Sequence, residues 1–450
     1  KNHQSMQKLQ YYKVQRTLRQ APGDAAACGG DGARVGVGER DGGVVTVTRD
    51  EGRGDVALVL SGGGARGAYE VGVLSYLYGE LARARGGVPP RVDMVCGTSV
   101  GAINGCYLAA HMADPVSGVR RLVDLWTAIE FERVLRFTAR QALQLPRVLR
   151  GGGDAEAGIF DVQPMVDLVT REVSWKMLAR AVRRGLLRAV SVSATEISTG
   201  RTTLFIDAAP EVPMPSGFGP RVVVRREIVG PQHALASAAI PLVFPPVRIG
   251  SLLYCDGGLR QNTPIAPAIR LGARRVLVVG LSREVHDIGV PEGLQSATRP
   301  PGAMFLLGKV LNAFLLDHVH SDVDLMHRIN QLLEDGESLY GADFTHRMSQ
   351  RALDRGAEPY RRVESLVVRP SQDIGRLAGQ HVRKGRFSGS LTARALLTLL
   401  DSGITEESDL ASYLLFDGAF ARKLIDLGRA DAEAMRDKLM AFFTEAPRQR

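Results

Sequence analysis

The stretch LVLSGGGARG, Leu58 to Gly67, completes an apolar run that begins at Val56 and reads as a buried strand. Gly62, Gly64 and Gly67 satisfy the G-x-G-x-x-G spacing of a dinucleotide-binding turn. That spacing does not by itself separate a phosphate cradle from any other strand-to-helix turn whose backbone must approach a neighbour closely, because both select glycine. The next strand decides between them.

After VDMVC, Val92 to Cys96, comes Gly97-Thr98-Ser99-Val100-Gly101, a G-x-S-x-G sequence followed by the small-residue helical stretch AINGCYLAA. Strand before and helix after are the context of a nucleophile elbow, in which a tight turn lifts a serine hydroxyl clear of the sheet at a helix N-terminus. A dinucleotide fold would instead end its second strand in an acidic residue for the ribose, whereas here Asp93 stands at the strand's start. Neighbouring parallel strands bring their carboxyl-end loops together, so the glycine turn falls beside Ser99. Its N–H groups are then candidates to hold the oxyanion of a tetrahedral intermediate.

A serine hydroxyl needs a base. None of the nine histidines sits in an obvious catalytic frame. In LLYCDGGLRQNTP, however, an apolar strand delivers Asp256 directly into Gly257-Gly258. Alone, D-G-G is an ordinary turn. A carboxylate base also requires an apolar setting that raises its pKa, which Leu252, Leu253, Tyr254 and Cys255 offer.

The chain has 450 residues, 45% of them hydrophobic, enough for a large core, and a formal charge of +9 that comes mostly from arginine. Such a charge favours anionic partners, lipid headgroups or nucleic acid. No nucleic-acid-reading motif accompanies it, so a peripheral membrane surface is the expected partner and nucleic acid is not. Cys28, Cys96, Cys106 and Cys255 form no C-x-x-C pair and read as reduced, mostly buried thiols. No export signal or apolar stretch of membrane-spanning length is visible. The expected location is the cytoplasm or the inner face of a membrane.

Residues 1–54 have the composition of a mobile basic tail and Gly-rich linker. Across 55–282, strand-like runs alternate with helical patterns, including a helix over Ala68 to Ala84 and another from about Ala102, which predicts an α/β domain with a mostly parallel sheet. Residues 283–450 read as a mainly helical extension, with ESLVVRP, Glu364 to Pro370, as a candidate strand returning to the sheet. Asp317, His320, Asp324 and His327 have a spacing a divalent metal uses. They also lie opposite an apolar stripe of Leu316, Val319, Val323, Met326 and Leu333, and a solvated face is the favoured reading. No metal or cofactor is expected.

GGGARG, GTSVG and DGG, in this order and strand context, resemble the patatin-like phospholipases. So do GIFDVQPMVDLV, VSATEISTGRTTLF and ALASAAIPLVFPPV; the similarity covers roughly Asp55 to Gly272 and, more loosely, FLLDHVHSDVDLMHRIN. The resemblance implies a three-layer α/β domain with a mostly parallel central sheet, and a lipid acyl hydrolase working through a Ser-Asp dyad and an acyl-enzyme. It assigns Ser99 as nucleophile, Asp256 as base and the Gly62, Gly63 and Gly64 backbone as oxyanion hole. Gly97 and Gly101 would be the elbow glycines, and Gly257 and Gly258 would complete the DGG motif. Arg66 is expected to brace the glycine loop; a solvent-facing first-turn arginine is the alternative. Two other functions stay open: a conventional Ser-His-Asp esterase using His286 or His318, and a non-catalytic lipid-binding protein on the same scaffold.

Overall fold

The computed structural model describes residues 55–136, 160–241, 243–283, 318–355, 357–384 and 409–444, with the backbone alone for 318–322 and 409–410. Strand β1, Val56–Leu60, is buried at every position, as expected of a strand covered on both faces. It runs parallel to β2, Met94–Thr98, on one side, with Ala57 opposite Met94. On the other side lies β8, Arg275–Val279, also parallel. β3, Ala189–Glu196, continues the parallel set beyond β2.

The sheet order is β5-β4-β3-β2-β1-β8-β9. β4, Thr202–Ala208, is antiparallel to β3, and β5, Val222–Arg226, lies parallel to β4. β7, Leu252–Asp256, pairs antiparallel with β6, Val247–Ile249, and with the end of β3, where Ala194 faces Asp256. The candidate strand of the C-terminal half does return: β9, Glu364–Val368, lies parallel beside β8.

Helices flank this sheet. The glycine turn, Gly64–Gly67, is a 3-10 turn that feeds α1, Ala68–Tyr76, which continues through a π turn, Leu77–Leu81, to Ala84. Helix α2, Val100–Ala110, starts directly after Ser99, two residues earlier than the sequence predicts. α3, Pro115–Thr127, and α4, Gln163–Glu172, follow, then α5, Pro231–Ser237, before β6. The C-terminal half supplies α6, His318–Tyr340, α7, Phe344–Asp354, α8, Ile374–Arg383, α9, Asp409–Leu414, α10, Gly418–Ala434, and α11, Arg436–Thr444. Among the described residues, no helix is long and apolar enough to cross a membrane.

The C-terminal helices are built into the core. α10 packs on α1, and Gly72 and Gly428 bring the two backbones into direct contact. Tyr69 Oη donates to Asp431 Oδ2 across this contact at 3.0 Å. On α6, Val323, Met326 and Leu333 are buried while Asp324 and His327 are exposed, so the helix has the packed and solvated faces its pattern predicts. His327 Nε2 lies 2.9 Å from Ser365 Oγ. Asp317 lies outside the described residues.

Asp93 holds the start of the central strands together. Its Oδ2 accepts from Val56 N–H at 3.0 Å and its Oδ1 from Arg91 Nε at 2.7 Å, and the carboxylate is buried. Replacing it leaves a buried donor without a partner, which costs about 1–3 kcal/mol. Asp93→Ala is therefore expected to lower the urea unfolding free energy by that amount; an unchanged midpoint would remove this bond from the account of the fold.

Candidate active site

Ser99 sits at the junction of β2 and α2 with φ 54° and ψ −126°, the only non-glycine residue of positive φ among those described. A residue held there is strained. Its neighbours explain how the turn closes. A Cβ on Gly97 would stand 2.5 Å from the Gly101 carbonyl oxygen, and one on Gly101 would stand 2.4 Å from that of Leu60. Only hydrogen at these two positions lets the turn fold flat against the end of β1.

The Ser99 side chain reaches Asp256, its Oγ donating to Oδ2 at 2.7 Å. Asp256 ends β7 and is fully buried, and its Oδ1 accepts from Gly258 N–H at 2.7 Å. The DGG glycines thus fold the chain back onto the carboxylate, in a 3-10 turn over Gly257–Leu259 that Asp256 caps. Gly257 lies so close to β3 that a Cβ would stand 2.3 Å from the Ser193 carbonyl oxygen. Burial pushes the Asp256 carboxyl up to about 7, against the opposing pull of the hydrogen bonds from Ser99 and Gly258. Of the β7 residues before it, Tyr254 and Cys255 are buried and Leu252 and Leu253 only partly so.

The glycine turn lies alongside. Gly62 is so near Ser99 that a Cβ there would stand 2.9 Å from the serine Cβ. Its N–H, however, donates to the Asn262 carbonyl at 3.1 Å, which corrects the expectation that Gly62 offers a donor to a ligand. The Gly63 and Gly64 N–H groups donate to no protein acceptor among the described residues. Gly64, at φ 57°, lines the cavity beside Ser99. Arg66 is buried, contrary to the solvent-facing alternative, and its Nε donates to Ser412 Oγ at 2.7 Å.

Several supporting residues carry no signature in the sequence. Ser99 N–H donates to Ser237 Oγ at 2.8 Å, and Ser237 Oγ donates in turn to the Ser193 carbonyl at 2.6 Å. The segment after DGG is stitched to both motifs. Asn262 Nδ2 donates to the Gly62 carbonyl at 3.1 Å, Thr98 Oγ1 to the Gln261 carbonyl at 2.9 Å, and Ser61 Oγ lies 2.8 Å from Thr263 Oγ1. Behind α2, Asn104 Nδ2 donates to Gly67 O and to Glu70 Oε2 at 2.8 Å, while its Oδ1 accepts from Trp126 Nε1 at 3.1 Å. Burial holds the Glu70 carboxyl well above the usual range. The run QNTP and the serine of ALASAAIP were visible, but their partners lie far away in sequence.

Ser99 opens onto a cavity of about 400 Å³. Its walls are mainly apolar, with Ile103, Trp126, Leu168, Ile240, Phe244 and Phe416 among them, while Arg133, Asp167 and Arg171 contribute charged groups. This size and lining are those of a site for an apolar ligand with a few polar contacts. His286 lies outside the described residues, and His318 and His320 are described by backbone alone.

An elbow serine bonded to a buried carboxylate at the end of a mostly parallel sheet defines a class of α/β hydrolase-like proteins, and the comparisons narrow it. Residues 58–269 match the family model of the patatin-like phospholipases, and that segment belongs to this family. Over 211 residues the chain is 30% identical to a cGAMP-activated phospholipase of Pseudomonas aeruginosa, a match covering 46% of this chain and 53% of that one. It is 26% identical over 227 residues to the uncharacterized protein YjjU of Escherichia coli, covering 50% and 52%. The chain spans about half the length of these curated relatives. Human GIVD cytosolic phospholipase A2, solved with methyl gamma-linolenyl fluorophosphonate, aligns at 13% identity and a TM-score of 0.39 over 99% of this chain and 64% of that one.

The raised Asp256 carboxyl has a consequence for stability. Its unfolded pKa is about 3.9, so between roughly pH 4 and its folded value near 7 the native state binds more protons than the unfolded one, and stability from this group falls as pH rises through that window. Asp256→Asn, always neutral, is expected to melt above the wild type at pH 8, by a margin that shrinks steadily as the pH is lowered toward 4. A variant that melts lower than wild type at pH 8 would contradict the buried-carboxylate assignment.

Proposed function

We propose that this chain hydrolyses fatty-acyl esters of phospholipids or related lipids through a Ser99-Asp256 dyad and an acyl-enzyme intermediate. The observation that carries this reading is the 2.7 Å hydrogen bond from Ser99 Oγ to Asp256 Oδ2 at an apolar cavity. The family of residues 58–269 supports it. One relative is named a cGAMP-activated phospholipase, which makes phospholipids the first substrates to test.

In the proposed mechanism an acyl chain fills the cavity and its ester carbonyl lies over Ser99. Asp256 Oδ2 takes the hydroxyl proton as Oγ bonds to the carbonyl carbon, and the electron pair displaced onto the carbonyl oxygen is met by the Gly63 and Gly64 N–H groups. The tetrahedral centre collapses, the ester C–O bond breaks, and the alkoxide leaves with the proton from Asp256. Water then gives a proton to Asp256 as its oxygen attacks the acyl-enzyme. Collapse of the second tetrahedral centre releases the fatty acid and returns the proton to Ser99.

The direct Ser99-Asp256 bond favours the dyad over a triad, in which an imidazole would stand between the two groups. A carboxyl near 7 suits the role, since it is partly ionised at neutral pH yet basic enough to accept a proton.

A fluorophosphonate probe is expected to label the wild-type chain and not Ser99→Ala, and Asp256→Asn should lose at least about 100-fold in kcat. The wild-type kcat/KM should rise with pH along an acid limb centred near 7, as Asp256 ionises. Labelling and phospholipid hydrolysis that persist in folded Ser99→Ala would move the nucleophile elsewhere.

A further inference from the structure

The glycine turn beside Ser99 is anchored from outside the segment that matches the family. Arg66, third residue of the 3-10 turn, points its guanidinium at helix α9. Nε donates to Ser412 Oγ at 2.7 Å, and the guanidinium carbon stands 4.4 Å from the centre of the Tyr413 ring. Arg66, Ser412 and Tyr413 are all buried. From the same helix, the Tyr413 carbonyl presses on Gly64: a Cβ there would stand 2.3 Å from its oxygen. Tyr413 also lines the cavity together with Gly64 and Ser99.

We infer that Arg66, Ser412 and Tyr413 form a latch through which the C-terminal helix α9 positions the Gly63 and Gly64 amides, making that helix a working part of the site. This rests on the oxyanion role proposed for those amides. Removing a guanidinium from water is costly unless its hydrogen bonds are replaced, so docking of α9, which supplies the Ser412 acceptor and the Tyr413 ring, favours the observed form of the turn. The geometry uses what distinguishes arginine from lysine, a planar group that stacks on a ring while its edge donates. The Tyr413 carbonyl backs Gly64 so closely that it limits how far the turn can shift toward α9. Arg66 N–H donates to the Gly63 carbonyl at 3.1 Å, so the peptide that carries the Gly64 N–H is tied to the latched residue itself. Arg66 and Ser412, which do not line the cavity, are thus positioning residues that act through the amides, with Tyr413 as the ring on which the Arg66 guanidinium stacks.

Because misplacement by about 1 Å can cost on the order of 100-fold in rate, small disturbances of the latch are expected to appear in the chemical step. In the full chain, Ser412→Ala and Arg66→Lys should each lower kcat for a short soluble ester by about 10- to 100-fold. KM should change little, because the acyl cavity keeps its walls. The second-order rate of fluorophosphonate labelling should fall in parallel with kcat, since phosphonylation draws on the same donors. Ser412→Thr, which keeps the hydroxyl acceptor, should recover much of the loss seen in Ser412→Ala.

A purely structural role predicts a different pattern, in which the melting temperature falls while kcat per folded molecule stays at the wild-type value. That pattern overturns the latch. Arg66→Lys retains the charge and carries the same test if Ser412→Ala does not fold. Ser99→Ala measured alongside separates the two levels. If it is inactive while both latch variants turn over at the wild-type rate, the latch alone is wrong. If it remains active, the dyad reading fails and the latch with it.

Discussion

The strained backbone of Ser99 is the constraint around which the site is assembled. A non-glycine residue at φ 54°, ψ −126° costs of order 1–3 kcal/mol and persists only where its surroundings over-determine it. Here they do so from each side. The carbonyl of Ser99 accepts from Ala102 and Ile103 at the first turn of α2. Its N–H donates to Ser237 Oγ and its own Oγ donates to Asp256. Ser237 and Asp256 are both tied to β3, Ser237 through the Ser193 carbonyl and Asp256 through strand pairing at Ala194. The serine is therefore gripped between two parallel strands and an antiparallel one, and displacement of any of them would change the Ser99-Asp256 geometry.

The same arrangement sets a conflict between stability and chemistry. A carboxylate is a weak base in water, and the site strengthens it by burial, which penalises the charged form in the native state. The buried Glu70 carboxyl, bonded to Asn104 behind α2, shows burial acting in the same direction without direct contact with Ser99. Against these losses stand the packing of β1 and β2, buried along their whole length, and the close seating of α10 on α1.

How much of this was legible in the sequence follows from the range of the interactions. VALVL, VDMVC and RRVLVVGLS announced themselves because strands covered on both faces read as unbroken apolar runs. The elbow and DGG glycines were legible because close backbone approach excludes every other residue. TTLFIDA and VVVRR, which form β4 and β5, lie in the antiparallel flank, where polar and apolar residues mix. Ser237 and Asn262 were missed because a polar side chain does not reveal a partner more than a hundred residues away. The commitment of the Gly62 N–H to Asn262 was hidden for the same reason. The covering of α1 by α10 was equally silent: α1 is buried almost all round, Glu70 included, so it shows no amphipathic stripe to mark what lies against it.

The match to the patatin-like family model ends at residue 269, yet the glycine turn leans on Ser412 and Tyr413, and β9 completes the sheet beside β8. The fold and the site are continuous across that limit. The claim on which the account depends is that Ser99 carries the acyl group. It is tested most directly by acid quench of the full chain during turnover of a phospholipid with an isotopically labelled acyl chain, followed by peptide mass mapping. The account predicts the labelled acyl group on the peptide containing Ser99 and its absence when Ser99 is alanine; an acyl group on any other side chain would contradict it.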